Sequence, residues 1–313
     1  MVIDKTYTHS DFRGQIFMPA PVTPFAPGGD LMLDAYSEIL EWYLGHQADA
    51  LLIAGNNGEG YALSSDELRQ VTETALKTVA GRVPIFVHVS RTSNAESIAL
   101  ARVAADAGAP GICLMGQPFI HAATKAEIVA RFEAVAKAVP LPMLAFNSMH
   151  YTQFCLTPDI LSAIADVAPV CAVKNTVTDF DHITTMIAEL GDRFPIMWGG
   201  ATTLITGLLL GSGGFVGTGV EFFGRDCKDQ FLAVHDMTPE ERTNLALSFG
   251  PVTNAVQRLS PPPSGLKAAL NMIGLPAGVP REPVQPATPD VEDAIRDVFR
   301  RIGILEEHAV KRA

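Results

Sequence analysis

Cysteine, basic charge and long apolar runs are all in short supply in this chain. Its four cysteines, Cys113, Cys155, Cys171 and Cys227, are widely spaced and form no C-x-x-C pair. That spacing argues against a zinc module and against a disulfide framework, and it fits a reducing compartment. No stretch reaches the ~18 consecutive apolar residues needed to span a bilayer. The first residues carry no basic segment leading into an apolar core, so no secretory signal is expected and a cytoplasmic location is. Lysine and arginine number 23 against 34 acidic residues, a formal charge of −11. A surface of that sign disfavours nucleic acid and anionic membrane as partners. It leaves a buried anion site open, because such a site needs only local donors. Metal chemistry finds no support either: His88 and His121 follow expected strands, but no Asp/Glu/His cluster with ligand spacing accompanies them. No cofactor and no metal are expected.

What the chain does have is a regular alternation. Short apolar runs at residues 14–22, 49–54, 83–88, 111–115, 141–146, 168–174, 194–198 and 214–218 read as buried strands. Amphipathic segments follow them, several opened by a capping residue, as in Ser64-Ser65-Asp66-Glu67. Eight strand–helix units at a repeat of about 30 residues predict an α/β fold, the (β/α)8 TIM barrel. An open doubly wound sheet is the alternative, weakened by the absence of G-x-G-x-x-G after the first strand. After about His235 the alternation stops. Residues 238–249, 264–273 and 289–302 look helical, with proline-rich joints between them. The expected organisation is a barrel over 12–236, with its active site at the C-terminal strand ends, and a helical extension over 237–313 packed on it.

The strand at 168–174 ends on Lys174. In a barrel that end is the catalytic face, and an apolar mouth lowers the pKa of an ammonium group and frees a nucleophilic amine. Such an amine is suited to imine formation with a carbonyl; a strand-end lysine in a salt bridge is the plainer alternative. Gly55-Asn56-Asn57-Gly58-Glu59 would offer N–H groups and amides to a small carboxylate, or form an ordinary tight turn with an asparagine in the left-handed conformation. Trp198 and Phe222-Phe223 would be an apolar wall for a bulky acceptor, or simply core.

Taken together, Pro21-Val22-Thr23-Pro24-Phe25, the Gly-Asn-Asn-Gly-Glu loop, Val173-Lys174, Gly211-Ser212-Gly213-Gly214 and the region around Lys267 and Arg281 resemble the dihydrodipicolinate synthase and N-acetylneuraminate lyase superfamily. Phe146-Asn147 falls where that family has Tyr-Asn, 28 residues (174 − 146) before Lys174. The resemblance implies that Lys174 forms an imine with the C2 ketone of a 2-oxo acid. It implies a carboxylate site at Asn56 and Asn57, with Asn147, Gly199 and the carbonyl of Val216 as further substrate contacts. It also implies a homotetramer, a dimer of dimers.

The departures matter equally. The family's tyrosine is Phe146, its loop threonine is Asn56, and no relay tyrosine appears around Gln117-Pro118-Phe119. The arginine that dihydrodipicolinate synthases carry five residues after the tyrosine corresponds to Tyr151. Lysine biosynthesis is therefore disfavoured, and His150, Tyr151, His88 or a held water must supply the proton shuttle. The expectation is a class I lyase on a 2-oxo acid. It would work by aldol cleavage or hydratase-aldolase chemistry releasing pyruvate, or by dehydration of a 2-oxo-3-deoxy sugar acid. The alternative is a non-catalytic paralogue that binds a 2-oxo acid or sugar acid as a sensor.

Overall fold

The computed structural model describes residues 7–12, 15–120, 123–260 and 262–305. His121 lies outside them. Eight parallel strands make one sheet: β1 (Ile16–Pro19), β2 (Leu51–Ile53), β3 (Ile85–His88), β4 (Gly111–Met115), β5 (Met143–Asn147), β6 (Val170–Asn175), β7 (Ile196–Trp198) and β8 (Gly214–Gly217). Their order, β1-β8-β7-β6-β5-β4-β3-β2, wraps the sheet into a nearly closed (β/α)8 barrel. The remaining seam is stitched by Asp49, whose N–H donates to the Phe17 carbonyl at 2.8 Å while its carboxylate accepts the Phe17 N–H at 2.8 Å.

Strands that are apolar on both faces bury both. One set of side chains turns inward: Met18, Leu52, Phe86, Cys113, Leu144, Phe146, Ala172, Met197 and Val216 form the barrel interior. The alternate set, including Leu51, Ile53, Val87, Leu114, Ala145, Val173 and Ile196, packs outward under the helices. Tyr7 and Phe12 fill the N-terminal end of the barrel, the Phe12 ring meeting Phe86 edge-on at 5.5 Å.

The helices α1 (Leu33–Leu44), α2 (Ser65–Val79), α3 (Asn94–Asp106) and α4 (Lys125–Ala138) follow the first four strands. The expected cap of α2 forms in full: Ser64 accepts the Glu67 N–H, and Glu67 accepts the Ser64 N–H. After β5 a short helix, α5 (Met149–Thr152), carries His150 and Tyr151, and α6 (Pro158–Ala165) follows it. Next come α7 (Phe180–Leu190), α8 (Leu204–Leu209) and α9 (Cys227–Leu232). Beyond the barrel stand α10 (Pro239–Gln257), α11 (Ser264–Met272) and α12 (Pro289–Ile302). The sequence suggested that α10 ends near Phe249. It continues through Pro251 because Val252, Ala255 and Val256 on its last turns are buried, which outweighs the hydrogen bond a proline cannot make. No helix among the described residues is long and apolar enough to cross a membrane.

The extension is anchored to the barrel through a buried ion pair. Lys267 Nζ lies 2.6 Å from Glu59 Oε1, both side chains almost wholly buried, and Arg281 donates its backbone N–H to Glu59 Oε2. The Arg281 guanidinium pairs with Glu67 at 2.6 Å, and both cations lie over the Phe25 ring.

Candidate active site

Strand parity decides what faces the C-terminal mouth. Phe146 and Lys174 are register partners across β5 and β6, and both point inward. Lys174 Nζ lies 4.5 Å from the centre of the Phe146 ring. No carboxylate pairs with it among the described residues, which removes the salt-bridge alternative. Burial pushes the ammonium pKa down to about 8. At pH 7 roughly a tenth of such a group is a free amine, against fewer than about one in a thousand for an ordinary lysine.

Lys174 opens into a cavity of about 340 Å³ that Asn56, Asn57, Phe146, Gly199 and Tyr151 help to line. No aspartate or glutamate is in its wall. The loop after β2 turns sharply because Ala54 and Glu59 take left-handed backbone conformations, at φ 52 and 50. The asparagines do not take that role. Gly60 fits only as glycine, since a Cβ there would meet the Ala54 carbonyl oxygen at 1.8 Å. The backbone N–H groups of Asn56 and Asn57 donate to no acceptor among the described residues, so both are available to a carboxylate. The Asn57 amide is held at 3.2 Å by Thr218 Oγ1.

The Asn56 side chain stands beside the Tyr151 hydroxyl at the same wall of the cavity, where it works against the rise in the phenol's pKa that burial causes. Tyr151 stands edge-on to Phe146 at 6.4 Å, and burial raises the pKa of its phenol. His150, its neighbour, is exposed at the rim. His88 lies on the far side of Phe146, ring centres 6.1 Å apart. Burial, then the charges of Lys174 and Arg91, push its pKa down to about 3, so the ring is neutral.

One expected contact lies elsewhere. Asn147 follows Phe146 and so faces outward, where its amide is enclosed by the Leu156 carbonyl, Asn175 and His182. It stiffens the β5–β6 ends from behind rather than touching the cavity. The Val216 side chain faces the barrel interior, and Gly217 and Thr218 beside it line the cavity at β8. Trp198 and Phe222 are core: the Trp198 ring packs outward against Gly207. Sequence reasoning missed the meeting of Asn56 with Tyr151 and the Glu59–Lys267 pair, both joining segments far apart in the chain, with no spacing signal.

Residues 13–302 match the model of the dihydrodipicolinate synthetase family. The 4-hydroxy-tetrahydrodipicolinate synthase of Bacillus subtilis (strain 168) is 28% identical over 274 residues, 87% of this chain and 93% of that protein. Its counterpart from Exiguobacterium sibiricum is 29% identical over 268 residues, 85% of this chain and 90% of that protein. Among solved structures, YagE from E. coli K12, a prophage protein crystallised with pyruvate, superposes with a TM-score of 0.84 at 22% identity, covering 93% of this chain and 99% of its own. The dihydrodipicolinate synthase of Thermotoga maritima gives 0.85 at 22% identity, with 93% and 99% coverage. At that identity the two structures show the shared fold. The chain belongs to the dihydrodipicolinate synthetase family.

Proposed function

We propose that this member of the family is a class I lyase that acts on a 2-oxo acid through an imine on Lys174. The observation that carries the reading is a buried lysine without an ion-pair partner, beside two free backbone N–H groups in a cavity with no acidic wall. The neutral amine adds to the C2 ketone, and loss of water gives the iminium. The substrate carboxylate sits on the N–H groups of Asn56 and Asn57. In aldol cleavage the C4 hydroxyl loses its proton, the C3–C4 bond breaks, and its electron pair enters the imine to give an enamine. Protonation at C3 and hydrolysis then release pyruvate. In dehydration the C3–C4 bond stays intact: the imine loses a C3 proton to give the enamine, which then expels the C4 hydroxyl as water.

Both routes need a proton carrier, and Tyr151 is the candidate the geometry favours. It lines the cavity beside Asn56 and is partly buried, whereas His150 is exposed at the rim. Its phenol would stand in for the one that Phe146 lacks. Tyr151 also occupies the place where dihydrodipicolinate synthases carry their arginine, which disfavours lysine biosynthesis as the role. By resemblance the working assembly is a homotetramer, to be checked by mass in solution.

Borohydride trapping with pyruvate tests the reading. A reduced adduct on Lys174, located by peptide mass, supports it. No adduct with pyruvate or longer 2-oxo acids transfers the lead to a non-catalytic protein that binds such acids, a reading that Phe146 favours. That protein would show a ligand-dependent rise in melting temperature without turnover.

A further inference from the structure

The turn that carries Asn56 and Asn57 is tied to the end of β8 by one side chain: the Asn57 amide donates to Thr218 Oγ1 at 3.2 Å. Thr218 stands between two glycines, Gly217 and Gly219, and Gly219 takes φ 126, a conformation that side chains rarely adopt. Local backbone stiffness therefore does little to fix the peptide between Thr218 and Gly219. Two side chains grip it instead. On one side the Gln257 amide, from α10, donates to the Thr218 carbonyl at 2.9 Å and to its Oγ1 at 3.1 Å. On the other side the Glu221 carboxylate accepts the Gly219 N–H at 2.6 Å.

Glu221 is a costly group to bury for this purpose. It is wholly enclosed, and no cation pairs with it among the described residues. Its other oxygen accepts the Tyr43 hydroxyl at 3.3 Å. Tyr43 on α1 and Cys227 on α9 are the titratable groups that face it, and burial pushes both pKa values up, so neither carries charge near neutral pH. Burial also pushes the Glu221 carboxyl up to about 7. A glutamine would fill the same volume and offer Gly219 an acceptor without the cost of a buried charge. What the carboxylate adds is a stronger, charge-assisted bond to the Gly219 N–H.

We propose that Glu221 is a positioning residue for the 2-oxo acid. With Gln257 it holds the peptide after Thr218 from both sides, so that Thr218 keeps the Asn57 turn where its N–H groups meet the substrate carboxylate. The inference rests on the lyase reading for the identity of the ligand. Glu221 touches neither substrate nor Lys174, so its influence falls on binding and not on the chemical step. Protonation weakens the grip, and affinity for the 2-oxo acid then declines.

The test compares the unaltered protein with Glu221→Gln in borohydride trapping by pyruvate, between about pH 6 and pH 8.5, with half-saturation and limiting rate read separately. Above pH 7 the variant should need about tenfold more pyruvate at an unchanged limiting rate. Below pH 7 the unaltered protein loses its charge as well, and the ratio should fall toward one. That ratio cancels the titration of Lys174, which both proteins share. Glu221→Leu, which leaves no acceptor, should bind more weakly still at every pH, so glutamine counts as a partial rescue. A readout on the unaltered protein accompanies these. The Gly219 amide proton should move downfield as pH rises through about 7, and Tyr43→Phe, which takes a donor from the carboxylate, should move that midpoint higher. A half-saturation ratio of one throughout, a loss confined to the limiting rate, or a Gly219 amide that ignores pH overturns the proposal. Pyruvate affinity is also measured by calorimetry. If the unaltered protein forms no adduct, the imine reading falls, and the calorimetric affinities of the two proteins still decide the role of Glu221.

Discussion

Lys174 and Phe146 face each other across paired strands, with the ammonium 4.5 Å from the ring centre and no carboxylate among the described residues to balance it. An aromatic face is a weak substitute for a carboxylate, so the amine is held near its neutral form at a cost to the folded state. Replacing Lys174 with Met should abolish the pyruvate adduct and turnover while making the protein more stable at pH 7. The folded pKa of about 8 lies below the 10.5 of an ordinary lysine. Below pH 8 both states are protonated and the burial cost is fully present; from 8 to 10.5 the folded state becomes relatively more stable. Urea unfolding should therefore favour the Lys174→Met variant by up to about 3 kcal/mol at pH 7, with the gap closing toward pH 10.5.

The same group sets a pH profile. Trapping by pyruvate under limiting ketone should speed up about tenfold per pH unit below pH 8 and level off above it, because only the free amine attacks. A flat profile between pH 6 and 9 would place another step, or another nucleophile, in control.

Tyr151 and Asn56 can be separated by kinetics. Tyr151→Phe should lower kcat by about 10² to 10⁴, the usual worth of a positioned proton carrier, with little change in pyruvate affinity. Asn56→Ala should have a smaller effect on kcat, since it removes a polar neighbour of the phenol and leaves the phenol in place. If Tyr151→Phe turns over normally, the shuttle is a water or His150.

How much of this was legible in the residues follows from where the information sits. The eight apolar runs and the lysine at the end of the sixth mark the barrel and its nucleophile, because a buried strand must be apolar along its length. That uniformity hides which way each side chain points. A strand buried on both faces carries no alternation, and a one-residue change of parity moves Asn147 from the cavity to the outer layer. Trp198 is outward for the same reason. Partners brought together only by barrel closure, such as Asn56 and Tyr151, leave no trace in local pattern.

The Glu59–Lys267 pair offers a stability prediction. Lys267→Met strands the Glu59 carboxylate in the interior and should cost about 3–5 kcal/mol, read as a lowered urea midpoint. Adding Glu59→Gln should recover part of that loss, since neither charge then remains. Because Glu59 shapes the turn that carries Asn56 and Asn57, Lys267→Met should also raise KM for the 2-oxo acid.

Phe12 and Tyr7 pack into the lower end of the barrel, and Lys174 opens into the cavity at the opposite, C-terminal end. In a cleavage reaction that imposes a queue. The fragment free of the lysine departs first, and pyruvate, still tethered, leaves last. Accumulated pyruvate then re-forms the tether and competes with fresh substrate, tying the enzyme's pace to whatever clears pyruvate around it.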